Sequence, residues 1–223
     1  MLEELQNFIS KGYLIFNLYS KKDIDQINRL ILDKINKITK NNSNSNLEFY
    51  DKNDLFSSKH SLITNSKNRF INLNSNLLNK IKNNNTVSNI LKRTWGHKDY
   101  NIYRIGSLLK NKRDPLIKNA ATYRIARPYR NFKKDVGGAH SDLNYGGIKN
   151  NHLNSLNVIW VPTIGFNKDF TLKIFPETHN IIHPQDAIEE NNQYISSVLS
   201  NKYLKKFKSI RHNLKKGDAI IFN

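Results

Sequence analysis

His140 and Asp142 stand one residue apart in the stretch "GGAHSDLNYGG", residues 137–147. On a strand, side chains at i and i+2 point to the same face, so the pair would offer an imidazole nitrogen and a carboxylate oxygen to one ion. Such donors suit Fe(II) or another first-row metal, and one further His would complete a 2-His-1-carboxylate facial triad with three open positions. The alternative is a polar surface pair held between two glycine turns. Spacing alone does not choose between them.

The chain contains no cysteine, so thiolate metal sites, disulfides and cysteine nucleophiles are excluded and any metal must be held by His, Asp or Glu. The remaining histidines offer weaker claims. His179 sits in the turn "PETH"; His152, His183 and His212 lie in polar loops; His60 and His97 belong to the N-terminal half. The glycine pairs at 137–138 and 146–147 match neither a phosphate loop nor a dinucleotide fingerprint.

The chain of 223 residues carries a formal net charge of +18, from 36 Lys+Arg against 18 Asp+Glu. Such a charge attracts polyanions. Lys and Asn are spread through loops such as "KNNSNSN", however, with no basic arm and no RNA-binding aromatic motif beside them. Composition bias therefore competes with a basic, substrate-attracting surface, and nucleic-acid binding stands behind both. No run of about 18 apolar residues occurs, so no membrane span is expected. The start "MLEELQNFISKGYLIF" is acidic before it is apolar, unlike a signal peptide, which points to the cytoplasm.

The elements that must position these residues can be read from periodicity. Residues 2–10 predict a short helix and "GYLIF" (12–16) a strand. Ser20 and Asp23 form a capping-box signature before a helix whose apolar face is Ile24, Ile27, Leu30, Ile31, Ile35 and Ile38. "NLLNKIKNNN" predicts another helix, and Thr86 a cap for "VSNILKRTWG", closed by Gly96. From about 99 onward the pattern changes to short β-branched and aromatic runs: "TYRIARP" (122–128), "SLNVIWVP" (155–162), "FTLKIFP" (170–176) and "DAIIF" (218–222). The segment "PQDAIEENNQYISSVLSNKYLKKF" is expected to be partly helical. Helices followed by separated strands predict a helical layer on a β-sandwich or jelly roll, not a doubly wound sheet.

In order and spacing, "SKGYLIFNLYSKKDIDQIN", "AHSDLNYGG", "LNVIWVPTIGFNKDFTLKIFPETHN" and "KKGDAIIFN" resemble the phytanoyl-CoA dioxygenase-like Fe(II)/2-oxoglutarate oxygenases. The resemblance covers about residues 5–40 and 120–223, with a looser match at 78–96. It implies a mainly β fold with helices: a double-stranded β-helix (jelly-roll, cupin-like) core from about 99 to 223, buttressed by helices of about 1–98, in one domain. It also implies Fe(II) held by His140 and Asp142, 2-oxoglutarate as cosubstrate, and O₂-dependent hydroxylation of a small molecule. Trp160 falls where the family places an aromatic residue near the 2-oxoglutarate pocket, though core packing explains a strand Trp equally well. Arg124 and Asn157 lie on strands that could line that pocket.

In the family the His of the Pro-Gly-Ser-His-like turn caps or packs that turn, so His179 is a poor substitute ligand. The second ligating His and a carboxylate-clamping Arg follow the "GD" strand in the family. Here the sequence ends at Asn223, directly after that strand. The expectation is a truncated version of a longer protein. A short relative that recruits another His, or a non-catalytic jelly-roll module binding a sugar, lipid or other anionic ligand, remains open.

Overall fold

The computed structural model describes residues 2–40, 62–63, 68–96, 100, 102–104, 108–109, 112–113, 117–125, 139–140, 157–181, 183, 186–190 and 193–222. Helix α1 (Leu2–Lys11) leads into strand β1 (Tyr13–Asn17) and helix α2 (Lys21–Thr39). The capping box at Ser20 is formed: its side chain accepts from the Asp23 N–H, and Asp23 accepts from the Ser20 N–H at 2.9 Å. Burial pushes the Asp23 carboxyl up, but the bonds from Ser20 and Asn76 and the charge of Lys80 outweigh it and hold the group below its ordinary value. Ile24, Ile27, Ile31 and Ile35 recur at helical spacing and are all buried, so α2 contributes one apolar stripe to the core.

After β2 (Phe70–Asn72), helices α3 (Ser75–Lys82) and α4 (Asn85–Trp95) add Leu77, Ile81, Val87 and Ile90 to the same core. The cap of α4 is Asn84, whose side chain accepts from the Val87 N–H, and not the expected Thr86. Gly96 closes α4 in the left-handed conformation, as its position predicted.

The strands β3 (Tyr103–Arg104), β4 (Leu108–Leu109), β5 (Lys112–Arg113), β6 (Ile117–Lys118) and β7 (Ala120–Thr122) are short. They pair as β3–β6, β4–β5 and β2–β7, each antiparallel. β8 (Val158–Trp160), β9 (Asp186–Glu190), β10 (Gln193–Val198), helix α5 (Asn201–Leu204) and β11 (Asp218–Phe222) complete the order.

β11 lies between β1 and β8 in an antiparallel sheet. Tyr13 faces Phe222 and Asn17 faces Asp218; on the other side Ile220 faces Trp160. Ala219, Ile220 and Ile221 are wholly buried, which explains why this strand reads as an unbroken apolar run rather than an alternating one. Alternation divides the sheet into two faces. Leu14, Phe16, Ala219, Ile221 and Ile159 pack on the helical core, while Tyr13, Ile15, Ile220, Phe222 and Trp160 pack with Leu172, Ile174, Ile210 and Leu214.

Three sequence expectations are corrected. The strand expected at 170–176 is reduced to an isolated bridge between Ile174 and Ile210. The strand expected at 122–128 ends at Thr122 and pairs with β2, so it joins the helical half through Phe70–Asn72. The segment expected to be partly helical after 184 is mainly the β9–β10 hairpin, with a register shift between Tyr194 and Ser196, followed by the single turn α5. Ile188, Tyr194 and Val198 are strand-favouring residue types, and the pairing of the two segments outweighs the weak helical periodicity. The described architecture is thus mixed helix and strand with small antiparallel sheets. Among the described residues no helix is long and apolar enough to cross a membrane.

Candidate functional site

Of the predicted metal pair, His140 is described and half-buried, and Asp142 lies outside the described residues. The carbonyl of Ala139 accepts the Leu199 N–H at 2.8 Å, which fixes the backbone before His140 alongside the end of β10. Among the described residues no group of three His, Cys, Asp or Glu side chains stands close enough to hold a metal ion.

Trp160 is part-buried on the second face of the sheet, directly across from Ile220. Asn157 precedes β8 by one residue. Both its amide atoms are buried without a hydrogen-bond partner. A buried amide left unpaired costs about 1–3 kcal/mol, so a polar ligand seated against it would recover that cost. Asn157 lies just outside the strand, three residues before Trp160. Arg124 is exposed, beside the buried Tyr123, in the chain leaving β7 rather than in the sheet of Trp160.

His179 is placed as a packing residue. Its Nε2 lies 3.0 Å from the carbonyl of Ile9, near the end of α1, so Nε2–H donates to one of the carbonyls a helix end leaves unpaired. The Glu177 N–H donates to Lys11 in the same way at 3.0 Å. The ring covers Gly12, where a Cβ would collide with it, and its Nδ1 is buried without a partner. Neither nitrogen offers an accessible lone pair to a metal.

His183 is also fully engaged. Nε2–H donates to the Thr178 carbonyl at 2.9 Å, which leaves Nδ1 to accept from the Tyr203 hydroxyl at 3.0 Å. Tyr203 and Phe207 meet its ring edge-on.

A pair that sequence reading did not single out lies at the edge of the sheet. Tyr13 and His212 meet through the phenol oxygen and Nε2 at 3.1 Å, with ring centroids 5.5 Å apart. Burial and then the charge of Lys11 hold the imidazole below its ordinary value, while burial raises the Tyr13 phenol. Residues 13 and 212 share no local pattern: they lie 199 positions apart, and the segment carrying His212 is held by the Ile174–Ile210 bridge. The Thr171 hydroxyl donates to the His212 carbonyl at 2.7 Å and holds the backbone of this segment.

Comparison with family models, with curated proteins and with solved structures finds no match to this chain.

Proposed function

We propose that the protein is a cytoplasmic Fe(II)- and 2-oxoglutarate-dependent oxygenase that hydroxylates a small molecule, built on a jelly-roll core. The observation that carries this reading is a convergence. The Gly12–Tyr13 strand, the Trp160 strand and the Gly217–Asp218 strand are about 60 to 200 residues apart in the chain, yet form one antiparallel sheet with β11 at its centre. These are the segments on which the family resemblance rests, and helix α2 packs behind them as a buttress.

The donor chemistry fits Fe(II): His140 would supply a nitrogen and Asp142, two residues on in the sequence, an oxygen. When bound, the metal would couple O₂ and the decarboxylation of 2-oxoglutarate to substrate hydroxylation. The chain's own part is to hold and orient the reactants. The unpaired amide of Asn157 is a ready partner for a polar group of substrate or cosubstrate.

The test uses the protein expressed from its native reading frame. It should bind Fe(II) anaerobically in the presence of 2-oxoglutarate and release succinate in air. His140→Ala should abolish both. Unchanged metal binding in that variant removes His140 from the site, and a native protein that binds no Fe(II) leaves a non-catalytic binding module as the reading.

A further inference from the structure

The outer side of α2 carries a feature that the oxygenase reading does not use. Lys22, Gln26 and Arg29 recur at i, i+4 and i+7, so they share one stripe of the helix. Together with Asn76, in the first turn of α3, they line a groove of about 310 Å³. This is the lower end of the size range of ligand pockets and ample for one or two phosphate groups. The lining consists of two cations and two amides, with no carboxylate.

No side-chain hydrogen bond or ion pair ties Lys22, Gln26 or Arg29 to another described residue. Two cations share a concave site without a counter-charge in it, in a chain of net charge +18. Asp23, next to Lys22, does not supply one: it is buried, accepts from Ser20 and from the Asn76 amide, and has Lys80 nearby. The bond from Asn76 Nδ2 at 3.4 Å uses one amide hydrogen and leaves a second for the groove.

We propose that the α2–α3 groove binds the phosphate groups of a ligand, with Lys22 and Arg29 supplying charge and Gln26 and Asn76 supplying amide N–H donors. A guanidinium presents two parallel donors to phosphate oxygens, and Lys acts beside it as a mobile point charge. The α2 residues of the groove lie on the side of the helix opposite its buried isoleucines, so this site stands or falls separately from the oxygenase reading.

Pyrophosphate is the probe. In a titration of the whole protein followed by amide NMR, the side-chain amides of Gln26 and Asn76 should shift together and saturate. The Lys22→Gln/Arg29→Gln variant removes two exposed side chains and should keep its fold, yet bind at least tenfold more weakly, as expected from losing two charge-assisted contacts. Lys168→Gln/Lys173→Gln removes the same charge elsewhere and should bind as the parent does. Equal weakening in both variants, or no shift at Gln26 and Asn76, overturns the proposal. Displacement of pyrophosphate by a short single-stranded oligonucleotide, with steep salt dependence, would make nucleic-acid phosphates the source; failure to displace it would point to a small phosphorylated ligand. Either result supports the groove.

Discussion

Gly217 lies directly beneath Tyr19, so that a side chain of any size at Gly217 would overlap the backbone oxygen of Tyr19. The Gly217 carbonyl accepts the N–H groups of both Leu18 and Tyr19, at 2.9 and 3.0 Å. Gly217 has φ +106°, which L side chains rarely adopt. Asp218 closes the turn by accepting the Lys215 N–H at 2.8 Å, and Lys216 pairs with Asp25 on α2. The "GD" turn thus joins the start of the central strand to the link between β1 and α2.

Gly217→Ala should therefore destabilise the fold by about 3 kcal/mol or more, since positive-φ strain and overlap with backbone act together. Gly96 provides the contrast. It also has positive φ, but a Cβ there meets nothing within 4 Å. Gly96→Ala should cost only about 1–2 kcal/mol, the strain alone. Urea unfolding of the two variants separates the contributions; equal losses would show that the Tyr19 contact relaxes freely.

His179→Ala should lower stability by about 1–2 kcal/mol, because it removes the donor to Ile9 and the ring that covers Gly12. It should leave Fe(II) affinity of the native-frame protein unchanged. A large fall in metal affinity with little loss of stability would instead make His179 a ligand.

The strands around 13–17, 158–160 and 218–222 were legible because each is a short apolar run bounded by Gly, Pro or Asn. The α2 helix was legible because its Ile spacing and its Ser20–Asp23 box agree. The β9–β10 hairpin was not, because Ala187, Ile188, Tyr194 and Val198 fit helix and strand templates about equally, and pairing decides. The site was less legible than the fold. His140 and Asp142 are neighbours in sequence, but the engagement of His179 with α1, and of His212 with Tyr13, depends on contacts about 170 and 199 residues apart, which local pattern does not carry.

The cap of α4 is ambiguous in the sequence for a related reason. The run "NNNT" offers several capping side chains in a row, and only the helix start selects Asn84. Asn84→Ala should cost about 1 kcal/mol, the usual loss for an Asn cap. Thr86→Ala, inside the first turn, should change stability by less than about 0.5 kcal/mol. Thermal unfolding of both variants checks this; a larger loss at Thr86 would move the helix start by two residues.

The Tyr13–His212 contact gives stability a pH dependence with a definite sign. The neutral imidazole accepts from the Tyr13 hydroxyl at Nε2, whereas a protonated ring must donate there, half-buried and near Lys11. The folded chain therefore holds the His212 proton less tightly than the unfolded chain, whose ordinary value is 6.5. Between the lowered folded value and 6.5 the unfolded state binds more protons, so stability rises with pH across that window. The contribution is fully present above 6.5 and is lost as pH falls through the folded value. His212→Gln should flatten the stability profile between about pH 7.5 and 5, and Tyr13→Phe should cost about 1 kcal/mol at pH 7.5. Urea midpoints measured across this range give the slope directly. A His212→Gln profile as steep as the parent's would assign the acid sensitivity to another group.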